Sequence, residues 1–499
     1  MSFLARDNLR ALAGGRWLQR PVGDDDPVGV GTDTRDDLSG RVFVAIRGER
    51  FDGHDYLVNA AGKGAVMAIV DREPSPANLP EGLGVLLVND ARRALARIAL
   101  AYRRTLSATK VIAITGSSGK TTTKRLVHAV LSSALPGSAA PRSFNNDIGV
   151  PLTILSARPH DRYLVVEIGT NAPGEIAPLA AIAEPDIAVI TNVGRAHLAG
   201  FGSIDAILRE KAALLSHLSR DGTAIISADV PGLADYARAV PTIIRIGESD
   251  VADLRLTARG RHDGPPRRNW FEINGRFRFD LSLPGKHNAL NALAAVAIGR
   301  RFGLSDEQIS SVLGGVDPEP MRMMKQRVGD IIVYNDAYNA NPDSMAAALE
   351  AFGELAADAP RRIVVLGDML ELGEAGPALH RELGERLLDL DGRSGIDHAV
   401  FVGELVTHTT ESLAASWPAS RFTLLPELND GAGGRVADLL RPGDAVLIKG
   451  SRILGLERLI DMLDRSGAAA GAPSATAEVE MKDAPRPGET AARRGTLTG

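Results

Sequence analysis

The chain of 499 residues contains no cysteine. Disulfides, thiolate metal sites and cysteine nucleophiles are thereby excluded. Long apolar runs are missing too. No stretch reaches the ~18 apolar residues of a membrane span, and Met1–Gly15 has no apolar core of the kind a secretory leader carries. A soluble cytoplasmic protein without membrane insertion is expected. Strong charge of one sign is also absent. A net charge of -5 on so long a chain argues against a dominant nucleic-acid footprint and leaves room only for a local basic groove. Lysine is scarce, nine against 48 arginines, so each retained lysine is informative, and Lys120, Lys211 and Lys449 all fall beside motifs. No internal repeat is evident.

What is present organises around Val111-Ile112-Ala113-Ile114-Thr115-Gly116-Ser117-Ser118-Gly119-Lys120-Thr121-Thr122-Thr123. A β-branched run ends in a glycine-bounded turn, and a helical pattern through Leu126, Val127 and Val130 follows. This is the strand–loop–helix layout of a phosphate-binding loop, in which backbone N–H groups converge on an anion. Lys120 supplies a point charge for the terminal phosphates, and the Thr121 hydroxyl is a candidate Mg²⁺ ligand. Ile114 stands where the usual pattern has its first glycine, so the loop is shorter at its start.

Length suggests about three domains at ~100–200 residues each. Residues 1–107 alternate short apolar runs (42–46, 66–70, 85–88) with helical patterns at 56–62 and 91–104, a small α/β domain. Residues 108–316 continue the phosphate loop with strand-like runs at 163–167, 187–191 and 223–226 and an Ala-rich helix at 287–302. A mostly parallel sheet with helices on both faces is expected, with Thr115, Glu167 and Asn192 meeting at the carboxyl ends of its strands. Residues 317–465 carry a second pattern of this kind, with runs at 331–334, 363–366, 399–402 and 445–448, read as Rossmann-like. From 466 to 499 the composition loses large apolar residues and predicts disorder.

Three residues downstream of the loop carry chemistry by type and position. Glu167 closes a buried-looking strand and is either a Mg²⁺ ligand or water activator, or a partner for a helix terminus. His197, in Thr191-Asn192-Val193-Gly194-Arg195-Ala196-His197, is by itself either a ligand or a structural histidine. Lys211 lies on a helical pattern from 207 to 218 and, taken alone, reads as a solvated lysine.

Together with Leu283-Pro284-Gly285-Lys286-His287-Asn288-Ala289-Leu290-Asn291-Ala292, these segments resemble the ATP-dependent Mur ligases of peptidoglycan synthesis, in the family's order, from residue 1 to about 465. Four more segments, 145–153, 335–345, 366–373 with His380, and 449–452, are similar to the branch that adds D-alanyl-D-alanine to UDP-N-acetylmuramoyl-tripeptide. The resemblance implies three domains, a central phosphate-loop ATPase between a substrate-binding N-terminal domain and a Rossmann-like ligase domain. It implies ATP and Mg²⁺ as cofactors and a monomer as the working unit.

The same resemblance assigns roles. Gly116, Ser117, Ser118, Gly119, Lys120, Thr121 and Thr122 surround the phosphates. Thr121, Glu167, His197 and a carbamylated Lys211 hold Mg²⁺, and Lys120, Glu167, His197 and Lys211 are catalytic. Carbamylation makes physical sense there, since a bare ammonium would repel two dications. His287, Asn288 and Asn291 face the adenine or ribose, with Arg322, Asp336, Tyr338 and Asn339 reaching in from the third unit. Thr34, Arg35, Arg47, Asp52 and His54 hold the UDP moiety, Asn145 and Asn146 contact substrate, and Asp368, Glu371 and Ser451 lie on the dipeptide side. Closure of the third unit about Asp317–Pro320 is expected on binding.

Competing readings are a sister Mur ligase, a folylpolyglutamate-type ligase and a GTPase-like switch. The loops at 33–35 and 52–54 favour a UDP-sugar over a folate, and the switch would need an Asn-Lys-x-Asp motif, which the chain lacks. A non-catalytic relative is disfavoured by the joint presence of Lys120, Glu167, His197 and Lys211.

Overall fold

The computed structural model describes residues 3–465 apart from 24, 77–78 and 263–267. The stretch 466–499, expected to be disordered, lies outside the described residues. Among the described residues no helix is long and apolar enough to cross a membrane.

Among the described residues three sheets follow one another along the chain, of five, nine and six strands. In the first, Gly84–Leu87, Met67–Val70, Arg41–Val44 and Gly29–Gly31 run parallel, and Arg16–Gln19 closes the edge antiparallel. The helix Ala91–Arg103 packs on it through Ala94, Leu95 and Ile98, started by Asp90, whose side chain accepts from Arg93 N–H at 2.9 Å.

The nine-stranded sheet positions the site. Lys110–Thr115 is flanked by Tyr163–Glu167 on one side and Ile187–Ile190 on the other. The chain thus changes direction across the sheet at this strand, which opens a crevice at the carboxyl ends of all three. Alternation along the strand sends Ile112 and Ile114 to one face, against Leu126, Val127 and the helix Lys286–Arg301. It sends Val111 and Ala113 to the other, against Val150, Ile154 and Leu179. The sheet is mostly parallel, as the apolar runs predict. Its far edge is an antiparallel extension, Leu254–Arg261, Asn269–Ile273 and Phe277–Leu281, that no apolar run announces. Its strands mix arginines with core residues, and burial rests on alternate positions such as Phe271 and Phe279, whose rings stack at 5.3 Å.

The helix expected at 207–218 is instead Ile204–Ala212, capped by Ser203, and tightens into a 3₁₀ turn over Ala213–His217. In the third sheet Ile331–Asn335, Ala445–Lys449, Arg362–Gly367, His398–Val402 and Phe422–Leu425 run parallel, with Met324–Val328 antiparallel at the edge.

Candidate active site

The phosphate loop is shaped by close approach. Gly119 caps the helix Lys120–Ser132 with φ +79°, and a Cβ there would strike the Asn291 side chain. Only glycine fits both the backbone and the contact. The helix opens with Lys120 and has no acidic residue in its first turn. Two lysines a turn apart at a positive helix end oppose the macrodipole unless an anion sits there. Lys120 Nζ donates to the Gly116 carbonyl at 2.8 Å. Burial lowers its pKa, Glu167 works against that shift and Arg322 adds to it. Thr191 Oγ1 and Asn192 hold the loop from the next strand, Asn192 Oδ1 accepting from Ser118 N–H at 2.9 Å.

Glu167 ends its strand 1% exposed. Its Oε1 accepts from Asn145 Nδ2 at 2.9 Å and from Thr121 Oγ1 at 3.3 Å. Oε2 is buried and takes no hydrogen bond among the described residues. A buried carboxylate oxygen that accepts no hydrogen bond, with a threonine hydroxyl beside it and the Lys124 ammonium 3.3 Å away, suits a divalent cation. Yet among the described residues no three His, Asp or Glu side chains are grouped to hold a metal unaided. A magnesium ion here must draw part of its shell from phosphates and water, as this hard cation ordinarily does.

His197 sits at φ +56° with Nδ1 2.5 Å from Glu371 Oε2 of the third unit. Lys211 is 2% exposed, and burial followed by the Lys120 charge depresses its pKa to about 7. Its neighbour Glu210 does not neutralise it at close range. That carboxylate accepts from Gly174 and Ile176 N–H, at 2.7 Å each, and so caps the helix Ile176–Ala183.

The third unit is docked over this crevice. Arg322 Nη2 donates to Thr121 Oγ1 at 3.1 Å while its guanidinium stacks on Tyr338 at 4.2 Å. The residues either side, Met321 and Met323, both adopt positive φ, +59° and +52°. Such strain persists only where the surroundings impose it, and here it aims Arg322 at the loop. Asp336 accepts from the buried Lys449 Nζ at 2.6 Å and from Met323 N–H at 3.0 Å. Tyr338 OH donates to Ser143 Oγ at 2.9 Å. Together these groups line one cavity of about 900 Å³, with His287, Asn288, Asn291, Asn339, Asn145, Asn146, His197 and Glu371 on its walls.

Profiles for the Mur ligase middle domain, the Mur ligase glutamate ligase domain and the Mur ligase family catalytic domain match residues 114–299, 321–452 and 28–103. The chain belongs to the Mur ligase family. A relative from Bacillus subtilis named UDP-N-acetylmuramoyl-tripeptide--D-alanyl-D-alanine ligase is 35% identical over 443 residues, 88% of this chain and 93% of its own. The crystal structure of MurF from Acinetobacter baumannii superposes with a TM-score of 0.78 at 31% identity, covering 92% of this chain and 98% of that one. MurF ligase from Thermotoga maritima, in complex with ADP, gives 0.74 at 28% identity, covering 88% and 97%. The three-domain α/β architecture expected from the sequence is that of these Mur ligases.

Several expected site residues of this Mur ligase are engaged otherwise. His54 is 1% exposed; Nδ1 lies 2.6 Å from Asp52 Oδ1, and Nε2 accepts from Asp71 N–H at 3.1 Å. Both ring nitrogens are spent inside the unit, so His54 braces its loop and presents no ring to a ligand. Asp52 is shared among His54, Arg47 and Arg72, whereas the Arg35 side chain is 88% exposed and pairs with Asp33. None of Thr34, Arg35, Arg47, Asp52 or His54 lines the large cavity. Of these, Arg47 is tied to the rim through Arg92, which donates to the Arg47 carbonyl at 3.0 Å and to Asp147 at 2.6 Å.

Asn146 caps the helix Gly149–Leu155, its Oδ1 accepting from Gly149 N–H at 2.9 Å. Asn288 Nδ2 donates one N–H back to the Pro284 carbonyl at 2.6 Å, leaving its oxygen and second N–H for a nucleotide. His287 is held neutral, its pKa pushed down to about 4 by burial, so it can offer a flat uncharged ring. Asp368 and Ser451 are off the cavity. Asp368 accepts from Glu404 and Val406 N–H at 3.0 and 2.8 Å, and Ser451 Oγ accepts from Leu370 N–H at 2.9 Å. Gly403, at φ +127°, lies too close to the Asp368 carboxylate for any Cβ. Of the dipeptide-side candidates only Glu371 faces the cavity. We expect Asp368→Ala to lower the stability of the third unit by about 2–4 kcal/mol, from two stranded N–H groups, read by calorimetry as a lower unfolding midpoint. A direct ligand role would instead reduce activity with the midpoint unchanged.

Arg195 was not singled out by the sequence. It donates to Asp343 (2.8–3.3 Å) and to Glu382 (2.5 and 3.1 Å), spanning from the His197 loop to the third unit. Arg195→Ala should open this docking. At ~2 kcal/mol for charged hydrogen bonds, the closed fraction falls up to about 30-fold and the KM for ATP rises accordingly. Small-angle scattering of the ligand-free variant should show a larger radius of gyration than the parent; an equal radius removes the latch role.

Proposed function

We propose that this Mur ligase joins D-alanyl-D-alanine to UDP-N-acetylmuramoyl-tripeptide, consuming ATP and giving the pentapeptide, ADP and phosphate through an acyl phosphate. The observation that carries this reading is the cavity shared by a phosphate loop, the buried Glu167 carboxylate and the cations Lys120, Arg322 and Lys449. A carboxylate is a poor electrophile, and the carboxylate and the triphosphate that must meet are both anions. A cation-rich, partly closed site answers both difficulties.

In the first step a tripeptide carboxylate oxygen attacks the γ-phosphorus, and the bond to the ADP oxygen breaks. Lys120 turns from the Gly116 carbonyl to the phosphoryl oxygens, where Arg322 adds a second charge over Thr121. In the second, the free amine of the dipeptide attacks the acyl carbon, phosphate departs and the amine loses a proton. Thr121 and Glu167 would hold one magnesium ion, and His197 with a carbamylated Lys211 a second. The metal supplies charge neutralisation on the transferred phosphoryl group. His287, Asn288 and Asn291 face the base and ribose with Asp336, Tyr338 and Asn339. The first unit, residues 1–107, takes the UDP end through Thr34, Arg35 and Arg47, with Asp52 and His54 shaping the loop. The reaction is assigned to the cytoplasm and to a monomer.

The test is phosphate release from ATP across a panel of UDP-muramoyl peptides with D-alanyl-D-alanine. Release is expected with the tripeptide. Silence with the tripeptide and release with the dipeptide-linked nucleotide plus a free amino acid would reassign the chain to a sister ligase.

A further inference from the structure

Lys124 has no role in the phosphate-loop pattern, which ends at Thr121–Thr122. It lies one turn beyond Lys120 on the same face of the helix Lys120–Ser132, and it is buried, with its side chain 5% exposed. Its Nζ stands 3.3 Å from Glu167 Oε2, the oxygen that accepts no hydrogen bond, and instead donates to the Arg142 carbonyl. The other oxygen, Oε1, is oriented by Asn145 and Thr121. Glu167 is thus fixed on one side by neutral donors and faced on the other by a buried ammonium, on the oxygen best suited to a metal.

We infer that Lys124 is a positioning residue that keeps Glu167 neutralised until nucleotide arrives and denies that carboxylate to a bare divalent cation. The physical reason is charge balance. A dication approaching Oε2 alone meets the Lys124 ammonium a few ångströms away in a poorly solvated site, so it is repelled. A dication arriving on a triphosphate is part of a net anion of charge about −2, which Lys120, Lys124 and Arg322 attract, and it binds. The lysine therefore couples metal binding to nucleotide binding, so that metal and ATP enter together. The inference rests on the reading of Glu167 as a magnesium ligand.

Electron paramagnetic resonance of Mn²⁺ tests it on the full chain without nucleotide. Lys124→Gln, which can keep the hydrogen bond to the Arg142 carbonyl, and Lys124→Met should each bind Mn²⁺ at least tenfold tighter than the parent. Lys124→Arg, which keeps the charge, should bind as weakly as the parent. Lys124→Gln combined with Glu167→Gln should lose the gain. Should Lys124→Met fail to fold, Lys124→Gln decides. Unchanged Mn²⁺ affinity in folded Lys124→Gln overturns the inference, and so does equal tightening in Lys124→Arg, because then charge is not the cause. Glu167→Gln alone separates this result from the metal reading. If it binds Mn²⁺ with a non-hydrolysable ATP analogue as tightly as the parent, the role of Glu167 fails. If it loses that binding while Lys124→Gln stays at parental affinity, only the role of Lys124 fails.

Discussion

Replacing Lys120 with methionine is expected to cut phosphate release by roughly 10³-fold, with the fold retained. The argument is geometric and electrostatic. Lys120 sits at the start of the helix Lys120–Ser132, with its Nζ on the Gly116 carbonyl at 2.8 Å. It is therefore pre-placed at the loop that receives the phosphates and costs little to reorient. Burial already lowers its pKa, so the charged form is held at some cost that a phosphate anion relieves. Methionine keeps the stem and its packing and removes only the charge. Steady-state phosphate release, with unfolding midpoints measured in parallel, checks the prediction. A loss below tenfold would mean that Arg322 and the helix end carry the phosphoryl charge by themselves. Arginine should not restore full rate, because its planar fork does not fit a site shaped around a compact ammonium.

A comparable loss, roughly 10²- to 10³-fold, is expected for Lys211→Ala, and the parent activity should depend on carbon dioxide. With its pKa depressed to about 7 by burial and the Lys120 charge, Lys211 carries a substantial neutral fraction near pH 7, where an ordinary lysine is almost wholly charged. The neutral amine attacks CO₂ to give a carbamate and releases a proton. At fixed dissolved CO₂ the modification therefore rises with pH, most steeply below about 7, where amine deprotonation and carbamate formation each release a proton. Enzyme stripped of CO₂ near pH 6.5 should be weakly active and recover on adding bicarbonate. A carbamate resonance from ¹³C-bicarbonate should be present in the parent and missing from Lys211→Ala. Its absence from the parent across pH 6.5–8.5 would overturn the carbamate.

The unmodified lysine also makes a stability statement. Its folded pKa lies below the unfolded value of about 10.4, so between about 7 and 10.4 only the unfolded chain holds the proton. In CO₂-free buffer this group's contribution to stability rises with pH through that window and is at its least favourable below about 7.

The order of local signals was enough to expect much of this protein. The run Val111–Thr115 with its glycine turn and Lys-Thr start declares a strand, a loop and a helix by period and backbone chemistry alone. Parallel strands buried on both faces, such as Tyr163–Glu167 and Ile187–Ile190, read as unbroken apolar runs for the same reason. Half-buried strands do not. Leu254–Arg261 and Phe277–Leu281 alternate core and arginine positions, so their membership of the sheet is decided by pairing with neighbours.

Which polar residues face a ligand was decided only by the tertiary structure. Asp368 and His54 look like site residues by type and neighbourhood, yet each spends its polar atoms on nearby N–H groups or a buried partner. Conversely, Arg195 and Lys124 sit among conspicuous motifs and gained meaning only when Asp343, Glu382 and Glu167 were brought to them from 43 to 187 residues away along the chain. A sequence specifies what a side chain can donate, accept or charge. Whether that capacity is used internally or left for a substrate depends on what the fold packs against it, because a buried polar group must be satisfied by whatever lies within 3 Å or so.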